Sequence, residues 1–344
     1  MSFPALTPTQ VRSSVDKLPR TRLAHLPTPL EEVPRFAAKI GGGVRVFVKR
    51  DDCTGLLLGG NKARHNEFLI GDAVDQGCDM FVWGAGVQSN NCRQTAAGCA
   101  KLGLECRLYL SRAHHKTEPQ GNLLLDYLVG AHVDFTDAKI GPELNALLAA
   151  KADELRRAGR KPYFWNPPRV VPLSAVSYVL CVTEIAEQLT AMGLKPDALY
   201  VSSAGATGAG VALGKSLLGL DCLARLICPM HWPWDIPTRM ADDANAAAER
   251  LGLPHRLTAA DIDADESYVA PGYGLVSPGG REALKLLATN EAILLDHVYS
   301  AKAMAALIAD VRAGNYRPGS VLVFIHTGGI PAIFAEPNAV LPEM

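Results

Sequence analysis

From about residue 44 onward, short apolar runs alternate with longer amphipathic ones along the chain. Residues 44–49 predict a strand. Residues 62–76 repeat apolar positions at helical spacing and stop at Gly77, which suits a C-terminal cap. A strand at 80–84, a helix at 89–102 stopped by Gly103, and a strand at 105–110 follow. The alternation continues through 123–129, 132–136, 143–158, 162–165, 175–192, 198–202, 208–218 and 222–228. It closes with 280–289, 293–295, 301–313 and 320–326. Strands alternating with helices predict an α/β fold with mostly parallel sheets flanked by helices. Ligands of such folds sit at the carboxyl ends of the strands, where the strand-to-helix loops gather.

Composition narrows the class. The 344 residues permit one domain or two intimately packed ones; if two, the chain leaves one and returns to it. Hydrophobic residues at 48% and charged residues at 20% are those of a globular enzyme. A net charge of −1, with no block of like charges, predicts neither nucleic acid nor an anionic membrane as partner. No apolar run is expected to span a membrane, and Met1-Ser2-Phe3-Pro4-Ala5 lacks the pattern of a secretion signal. The eight cysteines include no Cys-x-x-Cys pair, which predicts reduced thiols in a cytoplasmic protein.

The candidate chemistry falls in the strand-to-helix loops. Gly59-Gly60-Asn61-Lys62 places one lysine at a helix mouth directly after two glycines. Gln88-Ser89-Asn90-Asn91 places hydroxyl and amide side chains at the next helix mouth, where capping alone would also explain them. Ser203-Ala204-Gly205-Ala206-Thr207 follows a strand and opens a helix. Such small residues let backbone N–H groups converge on one phosphate, although close helix–sheet packing would select the same residues. A partly desolvated lysine holds its amine ready for Schiff-base exchange near neutral pH. Lysine, carboxylate-binding loop and phosphate loop together point to pyridoxal-phosphate chemistry on a small amino acid.

Several blocks carry a resemblance through nearly the whole chain. They include Leu26-Pro27-Thr28-Pro29-Leu30, Val48-Lys49-Arg50-Asp51-Asp52, the Lys62 and Ser89 segments, Arg93-Gln94-Thr95-Ala96-Ala97 and Ala270-Pro271-Gly272-Tyr273-Gly274. Val298-Tyr299 and Phe324-Ile325-His326-Thr327-Gly328-Gly329 complete the set. In this order they resemble the fold-type-II pyridoxal-phosphate family (tryptophan synthase β-like) that contains D-cysteine desulfhydrase, L-cysteate sulfo-lyase and 1-aminocyclopropane-1-carboxylate deaminase. The resemblance implies two open, twisted, mostly parallel sheets. Residues 1–60 and 175–344 would form a larger cofactor-binding domain, with 61–174 a smaller one and the active site in the cleft. It implies that Lys62 forms the internal aldimine, that Asn90 contacts the pyridine hydroxyl, and that Ala204, Gly205, Ala206 and Thr207 hold the phosphate. Ser89 would bind the substrate carboxylate or assist proton transfer, with Asn91 beside it. Tyr273 and Tyr299 would line the substrate side of the ring, and Thr327 would reach the pyridine nitrogen. A homodimer is implied as well.

The expected reaction is α,β-elimination to pyruvate and ammonia, with D-cysteine the first substrate and L-cysteate the second. Tyr299-Ser300 stands where the ring-opening deaminase has Tyr-Glu, which counts against ring opening. A protein that holds the cofactor without turnover is the rival from another class. His65 stands where the family often has a phosphate-side lysine, and Asn91 where the desulfhydrases have histidine. Segment 166–174 carries prolines, valines and Arg169 in place of a glycine- and serine-rich loop. Arg169 either pairs with an acidic substrate side group or points to solvent. Cys92 at a helix start is either a packed thiol or an activated one, and 231–234 is a candidate lid or subunit contact.

Overall fold

The computed structural model describes residues 4–112 and 117–341. Its strands are β1 (Leu30–Glu32), β2 (Arg45–Lys49), β3 (Met80–Gly86), β4 (Glu105–Ser111) and β5 (His132–Thr136). They continue as β6 (Pro162–Phe164), β7 (Ala198–Ser202), β8 (Leu223–Ile227), β9 (Asp263–Asp265) and β10 (Val321–Ile325). The helices are α1 (Pro8–Val15), α2 (Pro34–Ile40), α3 (Lys62–Asp75), α4 (Asn90–Leu102), α5 (Gly121–Leu128) and α6 (Pro142–Arg157). They continue as α7 (Pro167–Ala191), α8 (Ala206–Leu217), α9 (Ile236–Arg250), α10 (Pro278–Glu291), α11 (Ser300–Arg312), α12 (Pro331–Ala335) and α13 (Pro337–Val340).

Two sheets organise these elements. The six-stranded sheet has the order β1-β2-β10-β7-β8-β9, and every neighbouring pair is parallel except β1 with β2. The four-stranded sheet, β5-β4-β3-β6, is parallel throughout, and its strands all come from residues 80–164. β7 and β10 are buried at every position, as continuous apolar strands must be when helices cover both faces.

Three expectations are corrected. The helix foreseen at 175–192 begins at Pro167, because prolines at the first helical positions need no N–H donor. This helix is also long and apolar enough by length and composition to cross a membrane. Most of its apolar stretch is buried inside the protein, where it packs on α3, α8 and α9 as a core helix. Residues 293–295 form no strand; Ile293 and Leu295 are instead packed in the core beneath α10 and α11. The alanine-rich α9, capped by Asp235 accepting from the Thr238 N–H, was not foreseen.

A buried ionic network underlies the start of α3. Arg64 reaches both Asp51 oxygens at 2.8 Å and Glu184 at 2.7 Å, and Lys49 meets Glu184 at 2.8 Å. Tyr178 donates to Asp51 at 2.7 Å. Burial works to raise the Asp51 pKa, but the Arg64 charge and hydrogen bonds, with Lys49, hold it below the usual carboxylate range. The network ties β2, α3 and α7 together, and so fixes the start of α3.

Candidate active site

Lys62 is the first residue of α3, and the backbone that delivers it is unusual. From Gly55 to Gly60 every residue has positive φ, including Leu56 at 32°, Leu57 at 52° and Leu58 at 66°. The turn closes with a Gly59 N–H to Gly55 carbonyl bond of 2.5 Å. Each leucine held left-handed costs about 1–2 kcal/mol, so outside contacts must fix the turn. Arg93, buried on α4, supplies them: its guanidinium donates to the Leu57 carbonyl and, at 3.0 Å, to the Gly59 carbonyl. Gly59 itself admits no side chain, since a Cβ would lie 1.8 Å from the Asp52 carbonyl oxygen.

The turn leaves Lys62 half-buried without a countercharge, and desolvation lowers its pKa to about 8. Its free-amine form is therefore within reach near neutral pH, as Schiff-base exchange requires. Three residues on, His65 is buried with its Nε2 3.2 Å from the Thr207 hydroxyl and its ring edge-on to Tyr178. Burial, then the charges of Lys62 and Arg64, hold its pKa well below the usual value. His65 is thus a neutral partner of the phosphate-side threonine, and no substitute for a lysine's charge.

The other predicted loops meet this helix mouth. Asn61 donates from its side chain to Thr207 at 3.1 Å and from its backbone to the Thr327 carbonyl at 3.0 Å. Gly328 packs so closely on Gly60 that a Cβ would lie 2.6 Å from its Cα. At the start of α8, Gly205 carries no side-chain cap and faces open space, while the Ser203 hydroxyl accepts from the Gly205 and Gly208 N–H groups. The Ala204, Gly205, Ala206 and Thr207 segment therefore lies beside Lys62 and Thr327, with a helix start open to a phosphate.

Ser89 caps α4, its oxygen accepting from the Cys92 N–H at 3.2 Å. That contact leaves the hydroxyl proton available to a carboxylate. Asn90 accepts from Asn122 at 3.1 Å, and Asn91 is half-buried beside it. Cys92 is a packed thiol, its pKa raised by burial and by the neighbouring Asp126. The Tyr273 and Tyr299 hydroxyls lie 2.5 Å apart. Burial raises both phenol pKa values, so both are neutral near pH 7. Lys302, one turn into α11, donates to the carbonyls of Val269 and Gly272 at 2.6 and 2.8 Å, anchoring the loop that carries Tyr273.

Arg169 is not in this site. It forms a two-pronged pair with Asp72 at 2.6 and 2.7 Å, and Tyr163 shares the same carboxylate at 2.7 Å. Asp72 lies ten residues beyond Lys62 on α3, about 15 Å along the helix. The expected substrate contact of Arg169 is therefore corrected to a structural one, tying α7 to α3. Ser300 is likewise engaged: its hydroxyl bonds the Asp296 carboxylate at 2.5 Å. The 231–234 segment stacks Trp232 on Trp234 with ring centroids 4.7 Å apart.

The residues present fit pyridoxal phosphate: a desolvated lysine, a helix start that faces open space at Gly205, close glycine-lined backbone, and the buried Gln94 amide, to which no partner is assigned among the described residues. Arg93, Asn122 and Lys302 had no sequence signal as site-builders, because each acts on the backbone or amide of a distant segment.

Comparisons with known proteins identify the family. The family model described as pyridoxal-phosphate dependent enzyme matches residues 21–328. D-cysteine desulfhydrase of Salmonella choleraesuis (strain SC-B67) is 37% identical over 324 residues, covering 93% of this chain and 96% of the relative. The same-named protein of Salmonella paratyphi C (strain RKS4594) matches equally, at 37% over the same length. A crystal structure of an ACC deaminase homologue superposes with a TM-score of 0.86 at 34% identity, covering 96% of this chain and 98% of that one. Diaminopropionate ammonia lyase of Escherichia coli, at 16% identity and a TM-score of 0.69, shares the fold over 99% of this chain and 92% of its own. With a family model matched over residues 21–328, relatives 37% identical over 93% of its length and a shared fold, the chain belongs to the fold-type-II family of pyridoxal-phosphate-dependent enzymes.

Proposed function

We propose that this pyridoxal-phosphate-dependent lyase converts D-cysteine and water to pyruvate, ammonia and hydrogen sulfide. The observation that carries the reading is 37% identity to D-cysteine desulfhydrases over 93% of the chain, supported by the desolvated Lys62 amine and the paired Tyr273 and Tyr299 hydroxyls. Pyridoxal phosphate, when bound, supplies the electron sink that makes the substrate Cα–H acidic. Asn90 would hold the ring hydroxyl, Thr327 the ring nitrogen, and residues 204–207 with His65 the phosphate. Ser89 donates its hydroxyl proton to the substrate carboxylate. The Lys62 amine takes the Cα proton as the Cβ–S bond breaks and its electron pair leaves with sulfur. The neutral phenol pair stands ready to give that sulfur a proton.

The sulfonate reading loses its anchor, because Arg169 is already bound to Asp72. Ring opening has no carboxylate at position 300, where a serine hydroxyl is bonded to Asp296. Keto-acid and sulfide release from D-cysteine, L-cysteine, L-cysteate and 1-aminocyclopropane-1-carboxylate tests the proposal. Pyruvate with sulfide from D-cysteine is expected. Pyruvate from L-cysteate alone would replace the substrate, and no keto acid from any of them would favour a protein that holds the cofactor without turnover.

We further propose that segment 61–174 acts as the smaller domain and that the enzyme is a cytoplasmic homodimer. Supporting a dimer, the adjoining α5 and α12 expose Leu128 and Phe334 at 70% and 66%. Light scattering checks the assembly.

A further inference from the structure

The amide of Asn90 has two faces, a donating NH2 and an accepting oxygen, and which one meets the cofactor decides what that contact does. Three side chains settle the choice. The Arg93 guanidinium is donor-only, and its Nε lies 2.7 Å from the Asn122 Oδ1, so that atom must be the accepting oxygen. The Asn122 Nδ2 therefore lies on the other side, where the Gln88 backbone carbonyl, an acceptor only, receives it at 2.9 Å. The same Nδ2 meets the Asn90 side chain at 3.1 Å, so the Asn90 atom there must be its oxygen. The Asn90 NH2 is left to face away from Asn122.

The relay is rigidly held. Arg93 and Asn122 are fully buried, and the Asn122 backbone N–H is fixed by the Gln88 side chain at 2.9 Å. The other Arg93 donors hold the Leu57 and Gly59 carbonyls of the left-handed turn before Lys62. Burial lowers the Arg93 pKa only to about 10, and it raises that of neighbouring Asp126 to about 8. The guanidinium's bonds go to neutral acceptors, the Asn122 amide oxygen and the Leu57 and Gly59 carbonyls.

We infer that Arg93 and Asn122 are positioning residues: they orient Asn90 to donate an N–H to the cofactor's ring hydroxyl oxygen, while Arg93 fixes the turn that presents Lys62. The inference rests on the placement of Asn90 at that hydroxyl, given above. A donor held there keeps the oxygen ionised, which leaves the proton on the imine nitrogen shared with Lys62 and gives visible absorbance. An acceptor in its place draws the proton onto the oxygen and moves the absorbance to the near ultraviolet.

Asn122→Asp is nearly isosteric and reverses the relay, because its second oxygen turns the Asn90 NH2 toward itself. The test is the absorbance spectrum of the holoenzyme at neutral pH, with bound cofactor quantified and folding followed by circular dichroism. Asn122→Asp is expected to lower the ratio of visible to near-ultraviolet absorbance by about tenfold or more, as loss of a hydrogen bond to a charged oxygen would. Arg93→Lys, which keeps the charge but loses the planar fork, is expected to shift the ratio in the same direction by less. It carries the test alone should Asn122→Asp fail to fold. An unchanged ratio in a folded, cofactor-loaded variant overturns the inference. A wild-type protein without a visible band that Lys62→Ala removes would instead overturn the Lys62 assignment beneath it.

Discussion

Lys62 and Arg64 lie two residues apart on one helix and are treated in opposite ways. Arg64 is fully buried against Asp51 and Glu184, with every charge answered. Lys62 has no answering charge, and desolvation alone brings its pKa down to about 8. Paired charge here is architecture, and unpaired charge is reactivity. Breaking a buried pair leaves an unanswered ion in the core, whereas the unpaired lysine keeps its free-amine form within reach because nothing stabilises the ammonium.

The sharpest way to break this comparison is to exchange the consequences. Lys62→Ala should abolish turnover and the visible absorbance of the bound cofactor while leaving the far-ultraviolet circular dichroism unchanged; surviving turnover would remove Lys62 from the chemistry. Next in size, Tyr299→Phe should reduce kcat by about 100-fold, the scale of a lost general acid, with cofactor binding retained. Steady-state kinetics on D-cysteine read this directly, and an effect confined to KM would make the phenol a binding group only.

Arg64→Met should act on stability instead, by about 3–5 kcal/mol in denaturant unfolding, since it strands Asp51 and Glu184. The pH dependence of Lys62 sharpens the contrast. Its folded pKa of about 8 lies below the ordinary 10.5, so the buried ammonium destabilises the apoprotein below about pH 8. That cost is relieved as pH rises from about 8 to 10.5. Capture of added pyridoxal phosphate by the apoprotein should therefore speed up with pH and level off above about 8, measured by stopped-flow absorbance. A flat profile would place the lysine's titration elsewhere. The smallest effect belongs to Arg169→Ala: its partly exposed pair with Asp72 is worth about 1 kcal/mol or less. Neutral and acidic substrates should be affected alike, and a selective loss on acidic ones would restore Arg169 to the pocket.

Much of this was legible in the chain. Lys62, Ser89, Thr207 and Thr327 all follow strands and precede or start helices, and local pattern alone places such loops at one edge of a parallel sheet. What the pattern hides is contact between distant segments. Arg169 carries the right charge for an acidic ligand, but only the antiparallel packing of α7 on α3 reveals Asp72 waiting for it. The prolines at 167 and 168 read as a loop because they forbid a helix interior, yet they are also suited to a helix start. Three left-handed leucines have no local signature at all; the turn is fixed by Arg93, 36 residues away in sequence from Leu57, which holds the Leu57 and Gly59 carbonyls.

The most direct test of the account is to reduce the holoenzyme with borohydride, digest it and locate the pyridoxyl group by mass spectrometry. The account predicts the label on the peptide containing Lys62 and on no other lysine. A label on any other lysine, or none in a protein that turns over D-cysteine, would contradict it.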